Sequence, residues 1–64
     1  MESPESIARL RHSLANPLAA LLAETQLLML EDRQLDEATL RTLKEIERLA
    51  IRMRGILRES QAED

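Results

Sequence analysis

Leu27-Leu28-Met29-Leu30-Glu31-Asp32-Arg33-Gln34-Leu35-Asp36-Glu37-Ala38-Thr39-Leu40 is the stretch that decides the fold. It opens as the end of an apolar run and passes through the polar segment Asp32 to Leu35. It resumes with Asp36, a good N-cap, and Glu37, an acid suited to the positive end of a helix. One helix ends here and another begins, with no room between them for anything but a turn.

Working outward, apolar residues recur at Ile7, Leu10, Leu14, Leu18, Leu21, Leu22, Leu28 and Met29 on one side of the turn. On the other side they recur at Leu40, Leu43, Ile46, Leu49, Ala50, Met53, Ile56 and Leu57. Steps of three and four are helical. Ser3 can cap the first helix, Pro4 suits its first position, and Glu5 complements its dipole. The pattern predicts a helix over about 4–31, a loop over about 32–36 and a second helix over about 37–60. The second helix is expected to fray near Ser60, leaving the acidic tail 61–64 disordered.

A loop this short forces the helices antiparallel. Each is about 36–42 Å long at 1.5 Å per residue. The expected fold class is therefore all-α, a two-helix hairpin. With 64 residues, the single core supplies at best roughly 3–5 kcal/mol. Domains of this size add disulfides, a metal or a second subunit. The chain has no Cys and one His, so neither a disulfide nor a one-chain His zinc site is available. Oligomerisation remains, and stacking two hairpins gives a homodimeric four-helix bundle with approximate two-fold symmetry.

Phe, Tyr and Trp are absent, so the core is built from Leu, Ile, Met and Ala. One Gly and two Pro encode few turns and exclude an all-β fold. The net charge of −3 gives no pull toward nucleic acid, which is not expected as a partner. No apolar stretch reaches the ~20 residues of a transmembrane helix, so no membrane segment is expected. The acidic N-terminus lacks signal-peptide character, and a cytoplasmic location is the expectation.

One segment is unlike a generic amphipathic helix: His12-Ser13-Leu14-Ala15-Asn16-Pro17-Leu18. Pro17 lies deep inside the first helix and cannot donate to the Ser13 carbonyl, at a cost of about 3 kcal/mol or more and a local bend. On a wheel at 100° per residue, Ile7, Leu14, Leu18, Leu21 and Thr25 share one side. His12 projects about 140° from Ile7, and Asn16 about 180°. Both face outward, one turn apart, and Ala19, Ala20, Ala23 and Leu27 continue that face. A small and apolar strip beside an exposed His suits the docking of another protein.

In type and spacing, His12, Leu14, Pro17 and Leu18 resemble the phosphoacceptor box of bacterial sensor histidine kinases. The resemblance is to their dimerisation and histidine-phosphotransfer (DHp, HisKA-like) domain and covers about residues 6 to 58. It implies that His12 carries a phosphoryl group on an imidazole nitrogen and exchanges it with a response-regulator receiver domain. It implies that Asn16 stands where the family orients a water for dephosphorylation, a task that an amide suits. Ser13 stands where the family has an acidic residue that assists attack on ATP, and Ser cannot act as that base. With one Gly no phosphate-binding Gly-rich loop can be built, so this chain carries no cofactor of its own. ATP with Mg would be bound by a separate kinase domain, and the chain alone is not an active kinase.

The second helix puts Arg41, Lys44, Arg48 and Arg52 outward, with Glu45 spaced to pair with Arg41 and Arg48. This is a solvated face or a basic strip for an acidic partner. Two other classes compete with phosphotransfer: a purely structural dimerisation hairpin and a small RNA-binding four-helix bundle. The absence of aromatics for base stacking and the negative net charge count against the second.

Overall fold

The computed structural model describes the backbone of residues 4–62 and the side chains of residues 5–60. The chain is two helices, α1 (Pro4–Glu31) and α2 (Glu37–Ala62), packed along their length as a hairpin. It measures 48 × 17 × 14 Å, a rod two helices wide. The capping role expected of Ser3 lies outside the described residues. At the other end α2 runs through Gln61 and Ala62, past the fraying expected near Ser60. Residues 63 and 64 of the tail lie outside the described residues.

The turn is built by two aspartates. The Asp32 N–H donates to the Leu28 carbonyl at 3.1 Å, the last bond of the α1 ladder. Its carboxylate then accepts from the Gln34 N–H at 2.9 Å, an Asx turn that starts the reversal. Asp36 caps α2: its carboxylate accepts from the Thr39 N–H at 2.7 Å and its carbonyl from the Leu40 N–H at 3.0 Å. Hydrogen bonding from Thr39, through its side chain first and its N–H second, holds the Asp36 carboxyl below the ordinary aspartate range. No described residue needs a positive φ, so the turn closes without glycine.

α1 continues without interruption through Pro17. Tertiary packing dominates there, because the next residue, Leu18, is buried in the seam between the helices. Leu18, Leu22 and Ala50 form the buried core, with Leu57 packed against it. Thr25 is buried beside them, and its hydroxyl donates to the Leu21 carbonyl at 2.8 Å, so no polar group is stranded. Nearer the turn, the Gln26 amide donates to the Glu47 carboxylate at 3.1 Å across the two helices.

Much of the apolar stripe stays exposed. On one flank of α1, Leu10, Leu14, Leu21 and Leu28 face water, and on the matching flank of α2 so do Ile46, Leu49, Met53 and Ile56. Four of these, Leu14 and Leu21 with Met53 and Ile56, line one open apolar groove together with Pro17. The steps along α2 are three, four and three, the alternation of a coiled-coil seam.

One expectation from the sequence is corrected. By length and composition α1, over Glu5–Glu31, is long and apolar enough to cross a membrane: an 18-residue window within it has a mean hydropathy of 1.2. Counting uninterrupted apolar residues missed this. His12, Ser13, Asn16, Thr25 and Gln26 break every run, yet from His12 to Leu30 the only charged residue is Glu24. A transmembrane test weighs charge and mean hydropathy more than continuity.

Candidate functional site

A second groove runs along the opposite side of the seam. α1 contributes Arg11, His12, Ala15, Asn16 and Ala19 to it. Those positions fall at i, i+1, i+4, i+5 and i+8, so they form a continuous helical flank. α2 contributes Arg54 and Arg58, one turn apart, with Leu57 between them in the floor. Leu18 and Leu22, whose other sides form the core, complete the floor. The groove holds about 380 Å³. The small side chains of Ala15 and Ala19 keep it open where a larger residue would fill it.

The structure therefore brings His12 and Asn16 together on one wall. Both are exposed, as the wheel required. Ser13 is exposed as well but lines neither groove. Ala20, Ala23 and Leu27, the continuation of the outward face, are exposed beyond the groove.

Electrostatically the wall facing His12 is basic. Arg54 and Arg58 stand in that wall, Arg11 lies beside His12 in the other, and among the described residues no carboxylate lines the groove. The chain as a whole has twelve acidic and nine basic residues, so this is a local reversal of its net charge. Arg54 and Arg58 were missed by the sequence reading, which looked for cations on the outward face of α2. The signal was available. A hairpin turning at about residue 34 places position 12 across from about position 56, between the two arginines.

The outward basic strip on α2 behaves differently. Arg48 is paired with Glu45, its Nε donating at 3.1 Å and its Nη2 closing a second bond. The pairing holds the Glu45 carboxyl below and the Arg48 guanidinium above their ordinary ranges, each through the hydrogen bond first. Both side chains are more than half exposed, so the pair adds little to stability. Among the described residues no three His, Cys, Asp or Glu side chains gather as a metal site.

The fold and site together define a helical hairpin with an exposed histidine in a cation-lined groove. No family model, no curated protein and no solved structure matches the chain.

Proposed function

We propose that this hairpin is a dimerisation and phosphoacceptor module of two-component signalling, with His12 as the residue that carries the phosphoryl group. The observation that carries the reading is the setting of the phosphoacceptor-like box. His12 is exposed at the rim of a groove, with Asn16 one turn along and the guanidiniums of Arg54 and Arg58 opposite. A phosphoryl carrier has to be reached by two partners in turn, and exposure supplies that.

The reaction is phosphoryl exchange with a receiver domain that bears an aspartyl phosphate, an acyl phosphate. The unprotonated nitrogen of the His12 imidazole attacks phosphorus. An N–P bond forms as the P–O bond to the acyl group breaks, and the receiver's carboxylate leaves with the electron pair. The proton on the other ring nitrogen passes to solvent, which leaves a phosphoramidate with a neutral ring and an anionic phosphoryl group. Asn16, an amide that both donates and accepts, suits the orientation of a water in a separate reaction, hydrolysis of the receiver's aspartyl phosphate. A separate domain holding ATP and Mg would supply the first phosphorylation, and the reading sets the chain on the cytoplasmic side.

Dimerisation belongs to the same reading. The apolar rows Leu10, Leu14, Leu21, Leu28 and Ile46, Leu49, Met53, Ile56 are what one hairpin leaves uncovered. A second copy offers the same rows in return, which is how a two-fold interface works. The result is a four-helix bundle, with the rows as its inner seam.

The test is mass spectrometry of the intact chain after incubation with a panel of receiver domains loaded as aspartyl phosphates. The expected product is one acid-labile phosphoryl adduct per chain, located on His12 and absent from His12→Gln. An adduct that persists in His12→Gln, or a chain that no receiver loads, overturns the reading.

A further inference from the structure

We propose that Arg54 and Arg58 of α2 form, with His12, a binding site for the phosphoryl group itself, so that the second helix positions the phosphate that the first helix accepts. The inference deepens the phosphoacceptor reading and rests on it for its use, but anion binding is measurable without any transfer.

Three observations converge. Arg54 and Arg58 are four residues apart on one helix and line the same groove as His12. That spacing brings two guanidinium forks to one face, one turn apart. Among the described residues the groove has no carboxylate in its lining, although acids outnumber bases in the chain. Among the described residues Arg54 and Arg58 therefore have no carboxylate beside them in the groove, in contrast to Arg48, which Glu45 pairs on the outer face. The floor of Leu18, Leu22 and Leu57 is apolar, which excludes water from one side and strengthens a charge-assisted hydrogen bond. A planar guanidinium matches two phosphate oxygens at once, and Lys does not. The ligand chemistry is a tetrahedral phosphoryl dianion, whether free or attached to an imidazole or an acyl group.

With Arg54 and Arg58 in place, the negative charge on the transferring oxygens is met from α2 while the imidazole of α1 attacks. The two arginines are positioning residues in this scheme. The reacting atom belongs to His12.

The experiment is a titration of the 64-residue chain with inorganic phosphate, followed by NMR of the His12 ring and of the Asn16 side-chain amide. Sodium chloride at equal ionic strength is the reference. In the wild type both signals should shift saturably with phosphate and not with chloride. In the Arg54→Gln/Arg58→Gln variant, the loss of two charge-assisted contacts should weaken the response about tenfold or more. Arg41→Gln/Arg52→Gln, on the outer face, should keep the wild-type response. Helix content by circular dichroism should match in all three, since every substituted side chain is exposed. An equal response in both double variants, or one that chloride reproduces, overturns the inference. Receiver-driven labelling of His12 that is as fast in Arg54→Gln/Arg58→Gln as in wild type also overturns it, and leaves the phosphoacceptor reading standing. Phosphate binding that depends on both arginines, in a chain that no receiver loads, sinks the phosphoacceptor reading and keeps the anion site.

Discussion

Shortening Leu21 to alanine should weaken the proposed dimer by about thirtyfold, a figure that follows from exposure, symmetry and the affinity scale. Leu21 is 52% exposed in the hairpin and lies in the apolar groove. Full burial of a leucine side chain contributes about 1.5–3 kcal/mol, so covering the remaining half contributes about 1 kcal/mol per copy. A two-fold interface uses the residue twice, which gives about 2 kcal/mol for the pair. Each 1.4 kcal/mol is about a factor of ten in Kd. The control is Leu30→Ala. Leu30 is 75% exposed, and nine residues along the helix it projects about 180° from Leu21, away from the groove. Light scattering across a dilution series should give twice the 7.3 kDa chain mass for the wild type at micromolar concentration. Leu21→Ala should move the dissociation midpoint to higher concentration, and Leu30→Ala should leave it in place. A folded wild-type monomer at micromolar concentration would refute the reasoning, as would equal effects of the two substitutions.

Four further outcomes are expected. Asp36→Asn keeps a capping side chain but removes a titrating group. Because the Asp36 carboxyl is lowered in the fold, its contribution is present above the ordinary value of 3.8 and lost as pH falls through its folded value, so melting of Asp36→Asn should depend less on pH below about 4 than that of the wild type. Gly55 lies inside α2 without a positive φ, and a Cβ there meets nothing within 4 Å, so Gly55→Ala should stabilise the chain by about 0.5–1 kcal/mol, read as a higher denaturant midpoint. Pro17→Ala restores a backbone donor inside α1 and should raise the melting temperature, and a lower one would mean that the proline's fit in the apolar groove outweighs the missing bond. On the phosphoacceptor reading, Ser13→Glu should speed labelling of His12 by a separate ATP-bound kinase domain by up to about 10²–10⁴-fold, the range of general-base assistance, while leaving exchange with receivers unchanged; unaltered ATP labelling rejects the role given to position 13.

The turn was legible because its chemistry is local. Asp36 and Thr39 are three residues apart, and a cap needs nothing else. The outward placement of His12 and Asn16 was legible for a similar reason, since helical phase against Leu14 and Leu18 decides it. Periodicity did not separate Leu18 and Leu22 from Leu14 and Leu21. All four belong to one stripe, and which of them reaches the seam depends on the angle at which α2 approaches. Arg54 and Arg58 required the same information. Read on α2 alone they are two more surface cations, and only the hairpin register sets them opposite His12.

The two grooves lie on opposite sides of one seam, and Leu18 and Leu57 line both. This arrangement would let the proposed dimerisation and phosphotransfer use separate faces of one hairpin. On α1, Leu14 and Leu21 project about 160° and 180° from His12 at 100° per residue. A second copy seated on the apolar groove would therefore cover Leu14, Pro17 and Leu21 and leave the His12 wall open to solvent and to a receiver. Pro17 lines the apolar groove, so on the proposed reading it would face the partner copy rather than the His12 wall. A shift of α2 by one residue along the seam would rotate its facing side chains by about 100°, carrying Arg54 and Arg58 away from His12 and breaking the row of Met53 and Ile56 together. The same register serves both surfaces, so a substitution that slips the seam at Leu18, Leu22 or Ala50 should impair dimerisation and phosphate binding together, whereas changes confined to one flank should impair only one of them.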